Sequence, residues 1–230
     1  MLRDLIRALG QLGDPAMRRA LVGSILGALL VLAVLVAGAV WLIGSLGLVG
    51  IPWLDGAAAA LGGALALVLA WILLPSAVAI VAGFFLDEVA AAVDRRHYPD
   101  LPPARRVPLS ESLAAGLRLG AVAALMNLAF LPLYLVPGLN LVLFLVLNGY
   151  LLGREHFELV ALRRMAPDAA RALRRAHPWR LLAAGMVLAA GMVVPVLNLA
   201  VPVIGTAFMA HRFEALRHRG LSGNRIRGKV

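Results

Sequence analysis

Four stretches of this chain contain no Asp, Glu, Lys or Arg: Ala20 to Leu54, Gly56 to Leu86, Leu119 to Gly153 and Leu181 to Ala210. Each exceeds the ~18 apolar residues that mark a membrane-helix candidate. Lipid offers no partner for backbone N–H and C=O groups, so segments of this kind must satisfy them internally, as helices do. With 62% hydrophobic and 15% charged residues, the composition lies outside the range of water-soluble domains. The chain reads as an all-α integral membrane protein.

The third and fourth runs carry the same phrase. Val136-Pro137-Gly138-Leu139-Asn140-Leu141 returns as Val194-Pro195-Val196-Leu197-Asn198-Leu199, an internal repeat. Proline fixes its own φ and pushes the preceding residue out of the α region, so Val136 and Val194 are expected to end helices. Asn140 and Asn198 are expected to cap the helices that follow. The uncharged arms Leu181 to Val194 and Leu199 to Ala210 would reach about 21 and 18 Å at ~1.5 Å per residue, against a hydrocarbon core of ~30 Å. Leu141 to Gly153 is similarly short, and Leu119 to Leu135 is marginal. The arms therefore read as two half-inserted, re-entrant hairpins whose tips meet other helices or a wet path. Each exit is charged and aromatic: Arg154-Glu155-His156-Phe157-Glu158, then His211-Arg212-Phe213-Glu214.

All 22 Lys and Arg fall outside the four runs, in segments on either side of them, whereas the turn between the first two runs holds only Asp55. By the positive-inside rule the basic segments and both termini are cytoplasmic, and the turn around Leu46 to Ala57 alone reaches the far side. Two long helices cross. The net charge of +10 belongs to headgroups rather than nucleic acid.

In chain order, residues 1–13 form an interfacial amphipathic helix, with Leu2, Leu5, Ile6, Leu9 and Leu12 opposite Arg3, Asp4, Arg7 and Gln11. Residues 15–55 and 56–98 are the two long transmembrane helices, the second running on through Gly83 and Phe84. A proline-rich cytoplasmic loop (99–109) leads to the first hairpin (110–165), an arginine-rich amphipathic helix (167–177), the second hairpin (178–217) and a disordered basic tail (218–230).

Asp14-Pro15 reads as N-cap and first residue of the first long helix, with Arg18 and Arg19 one turn in. The pair is either a headgroup anchor or, with the helix-end N–H groups, a site for a small oxyanion, for which Asp14 would compete. Asp87 and Glu88 are a solvated acidic pair, or partners of an arginine or of a proton. Asn127 and Asn148 are read as helix-to-helix hydrogen-bonding groups, and His97, His156, His177, His211 and His218 as interfacial or solvated. With no cysteine, and no HExxH, P-loop or GxSxG pattern, nothing points to an enzyme, a metal or a cofactor.

This order of parts, with Pro-x-x-Arg-Arg opening a long helix and two Pro-x-hydrophobic-Asn tips, resembles the CysZ-type sulfate permeases and the wider etoposide-induced-protein family over about Leu5 to Arg217. The resemblance implies a bacterial inner-membrane protein with two spanning helices and two hemi-penetrating hairpins, forming homo-oligomers and taking up sulfate for cysteine biosynthesis. It places Arg18 and Arg19 at the family's sulfate-associated arginine pair. The sequence differs from the family pattern at Ala16, where glycine is common, and over Phe85 to Glu88.

The leading expectation is a permease or channel for sulfate or a similar oxyanion, using Arg18, Arg19, Pro15 and the tip residues Asn140 and Asn198, with Asp87 and Glu88 as gating or proton-linked groups. The alternative is a non-transporting membrane scaffold or assembly factor of the same fold.

Overall fold

The computed structural model describes residues 1–45, 51–136 and 138–227. Pro137, residues 46–50 of the turn between the first two runs and the last three residues of the tail lie outside the described residues. Every regular element described is helical: α1 (Leu2–Gly10), α2 (Pro15–Ser45), α3 (Pro52–Gly83), α4 (Leu86–His97), α5 (Leu109–Phe130) continued by a 3-10 turn (Leu131–Leu135), α6 (Leu139–Leu162), α7 (Pro167–Ala176), α8 (Pro178–Met192) and α9 (Pro195–Arg227). Five of these helices open on proline, where a missing N–H costs nothing and φ is already helical.

Four helices are long and apolar enough to cross a membrane: Pro15–Ser45, Trp53–Gly83, Ser110–Leu135 and Pro195–His218. By length and composition alone the arms of α5 and α9 reach across a bilayer. The helices run past the charges that bound the uncharged arms, so the third and fourth candidates have 26 and 24 residues. A helix stops where its backbone is broken, and a charged side chain does not break it. Of the four hairpin arms α5, α6, α8 and α9, only α8, with 15 residues, stays short of the bilayer at about 22 Å. The tail differs from expectation for the same reason, since α9 continues to Arg227.

The repeated phrase does not fold the same way twice. At the first tip Val136 is extended (φ −83°, ψ 114°), as a residue before proline should be. Gly138 follows with φ +82°, the one positive φ among the described residues, and α6 begins behind it. The position equivalent to Gly138 is Val196, which cannot take that conformation cheaply. At the second tip α9 therefore starts directly on Pro195. The asparagines consequently lie inside their helices rather than at the N-cap. Asn140 Oδ1 accepts from the Leu141 N–H (2.8 Å), while the Asn198 N–H donates to the Val194 carbonyl (2.8 Å).

The long second helix expected over 56–98 is two helices. The Phe84 and Phe85 N–H groups bond to the Val81 and Ala82 carbonyls (3.2 and 2.7 Å), tightening the last turn of α3 before α4 leaves it. The Phe85 ring lies over Gly23 of α2, where a Cβ would come within 3.1 Å of Cζ. The redirected α4 buries Val89, Ala90 and Val93 completely, packing on α2 and α9.

The core sits at the charged end of the molecule. Ala8 and Met17 meet Val89 and Val93 of α4, Phe157 of α6 and Phe208, Met209, Phe213 and Leu216 of α9 in one buried cluster. The far arms of α2 and α3, with Leu30, Trp41, Leu65 and Trp71, are exposed, as lipid-facing surface requires. None of the Ser110–Leu135 span is buried. The tips are exposed too, Leu135 at 84% and Val196 at 78%, so within one chain they do not meet other helices as expected.

Candidate arginine site and its acidic partners

Asp14 precedes Pro15, and its Oδ1 accepts from the Ala16 N–H (2.9 Å), an N-cap bond that starts α2 and consumes one helix-end donor. One turn later Arg18 and Arg19 point away from the buried Met17 and Ala20. With Pro15, Val22, Gly23 and Leu26 they line a wide, open groove. The Arg18 guanidinium has no ion-pair or hydrogen-bond partner among the described residues, while its backbone N–H donates to the Asp14 carbonyl (2.9 Å). Arg19 reaches Glu88 loosely, Nη1 to Oε1 3.7 Å. Since Asp14 takes the Ala16 N–H, anion capture here rests on the guanidinium forks more than on the helix end.

Asp87 and Glu88, in the first turn of α4, turn to different partners. While Glu88 faces Arg19, Asp87 Oδ1 stands 3.5 Å from Arg163 Nε. Arg163 is 7% exposed and also contacts Asp94 Oδ2 (3.4 Å), which Arg164 binds at 2.6 Å. The open groove is thus linked through adjacent carboxylates to a buried arginine pair at the end of α6. Burial lowers the Arg163 pKa from its usual value, against Asp94 and Asp87, which raise it. Asn140 and Asn198 do not line this groove; they stand at the tips, Asn140 exposed and Asn198 half-buried.

Several groups read as solvated are interior. His211 is fully buried and His156 is 4% exposed. Tyr98 Oη lies 3.0 Å from His211 Nδ1, and the His97 ring meets His211 edge-on at 4.8 Å between centroids. Burial pushes the Tyr98 phenol up to about 12, and burial, then Arg96 and Arg7, lower His97. Asp4 of α1 bonds Arg212 of α9 (3.1 Å). The charged aromatic exits of the two repeats were visible in the sequence; their meeting was not. The Phe157 and Phe213 rings meet tilted at 60°, with centroids 5.9 Å apart. Asn127 and Asn148 bond their own helices, to the Ala123 and Phe144 carbonyls (2.8 and 2.9 Å), instead of bridging between helices. Among the described residues no cluster of His, Asp and Glu could hold a metal ion.

The family described as Sulfate transporter CysZ/Etoposide-induced protein 2.4 matches residues 4–202, most of the chain. The chain belongs to this family. A comparison with curated proteins finds no match. The family's description names a sulfate transporter, and four helices of this chain are long and apolar enough to cross a membrane. The matched segment contains the arginine pair, the acidic pair and both tips. It stops at Pro202 inside α9, ahead of the helix's most buried stretch, Val203 to Leu216.

Proposed function

We propose that this chain is a permease or channel for a small oxyanion, sulfate before others, in a bacterial inner membrane with both termini cytoplasmic. In this reading α2 and α3 cross the bilayer, and the α5–α6 and α8–α9 pairs are half-inserted hairpins, as the short α8 suggests. Uptake would supply cysteine biosynthesis, and the working unit would be a homo-oligomer.

The observation that carries the reading is the state of the arginine pair. A long helix that begins on Pro15 holds two guanidinium groups at the rim of an open groove, Arg18 unpaired and Arg19 held only by a 3.7 Å contact to Glu88. A contact this long and exposed is worth ~0–1 kcal/mol, so a dianion offering oxygens to both forks displaces it readily. Glu88 and Asp87 then act as the gate, releasing Arg19 as substrate arrives while Asp87 stays on Arg163. Asn140 and Asn198 would offer amide donors further along the path, the role broken-helix tips play in transporters.

Labelled sulfate uptake into proteoliposomes tests this, comparing the native chain with an Arg18→Ala, Arg19→Ala variant. Uptake that collapses in the variant supports the site. Equal uptake removes the pair from the mechanism, and no uptake by either protein favours the scaffold reading.

A further inference from the structure

A second cationic site lies between α6, α7 and α8, lined by residues the proposed oxyanion path does not use. Tyr150 and Arg154 of α6, Arg174 and Arg175 of α7, and Trp179 and Leu182 of α8 surround a cavity of about 360 Å³, an order of magnitude larger than a water molecule's ~30 Å³.

The charges there do not balance. Glu158 Oε1 accepts from Arg154 Nε at 3.0 Å and stands 3.3 Å from Arg174 Nε, so one carboxylate serves two guanidinium groups along their Nε edges. Arg154 is nevertheless 5% exposed, a cation taken from water with half a counter-ion. The Arg175 guanidinium has no ion-pair or hydrogen-bond partner among the described residues. Three positive charges against one negative leave the notch suited to a group bearing anionic oxygens.

Its position says which kind. Pro178 and Leu181 complete the wall, and Trp179 stands at the lip, 78% exposed. The uncharged run of α8 begins immediately beyond, at Leu181. Arginines on one side, aliphatic wall on the other and an exposed indole between them describe the depth at which headgroups give way to acyl chains. A free inorganic anion has no use for the apolar half of this site. We propose that the notch between α6, α7 and α8 binds the phosphate headgroup of an anionic phospholipid, with Trp179 and Leu182 against its glycerol and upper acyl chain.

The test counts lipids retained on the purified full-length protein in neutral detergent by native mass spectrometry, with phosphatidylglycerol or phosphatidylcholine as probe. The native chain is expected to retain phosphatidylglycerol preferentially. Arg174→Gln with Arg175→Gln should weaken its apparent affinity about thirtyfold and leave phosphatidylcholine unchanged, from the usual contribution of each basic residue at an anionic surface. Arg180→Gln, outside the notch, should change nothing. If the double variant does not fold, Arg175→Gln alone removes an exposed and unpartnered side chain and should cost about fivefold. Phosphatidylglycerol retention equal in the native and Arg175→Gln chains overturns the proposal. So does displacement of the lipid by sodium sulfate but not by sodium chloride at the same ionic strength, which would make the notch a free-oxyanion site.

Discussion

Gly185 of α8 lies against Gly149 and Gly153 of α6 so closely that a Cβ on Gly185 would overlap the Gly149 carbonyl oxygen, and a Cβ on Gly153 would stand 3.5 Å from the Gly185 Cα. The outgoing arm of one repeat thereby packs backbone to backbone on the incoming arm of the next. In lipid there is no hydrophobic force to press helices together, and close approach at small residues takes its place.

Gly185→Ala should therefore destabilise the detergent-solubilised protein by ~3 kcal/mol or more, because the atom it must displace is backbone and cannot rotate away. Gly116→Ala, with nothing within 4 Å of its Cβ position, should be close to neutral. Thermal unfolding of the two variants side by side checks this, and equal midpoints would contradict it.

Asp94 is the shared carboxylate of two arginines whose side chains are 8% and 6% exposed. Asp94→Asn keeps the shape and removes the charge, leaving Arg163 to the exposed Asp87. The expected loss is ~3 kcal/mol, in the range for breaking a buried pair by removing one partner. Replacing Arg163 by Met in the same background should recover part of it, since the orphaned cation causes much of the cost. Unfolding free energies of the single and double variants decide the point.

His97 sets a pH dependence of definite sign. Burial, Arg96 and Arg7 hold its folded pKa below the model-peptide value of 6.5, so on acidification the unfolded chain takes up this proton first. Its contribution to stability is complete above 6.5 and is lost as the pH falls from there through the lower, folded value. Between about pH 8 and about pH 5 the unfolding midpoint of the native chain should fall, and that of a His97→Gln variant should fall less.

Glu88→Gln should free Arg19 without disturbing the core, since the Arg19 and Glu88 side chains are 73% and 42% exposed. Half-saturation of sulfate uptake should shift to lower concentration by up to about fivefold, the worth of an exposed pair. A shift to higher concentration would mean that the carboxylate helps bind substrate or a coupled proton.

What the sequence determined by itself is local. Uncharged runs demanded helices, Pro15, Pro167 and Pro178 announced where helices begin, and the doubled Pro-Asn phrase marked both tips. Asp14 as the cap of α2 and the exposure of Arg18 and Arg19 followed from the same short-range rules. The tertiary structure decided which charges are interior. His211, Arg163 and Asp94 look solvated in a one-dimensional reading because each lies among charges. His211 and Arg163 are buried and the Asp94 side chain is 15% exposed because α1, α4, α6 and α9 converge at the charged end of the molecule, and a partner such as Asp94 for Arg163 is separated from it by two helices of chain. It also decided that Val196, lacking the freedom Gly138 has at φ +82°, breaks the symmetry of the two tips. Pattern reports what one helix does to water or lipid, whereas compensation of a buried charge depends on which helix lies beside it.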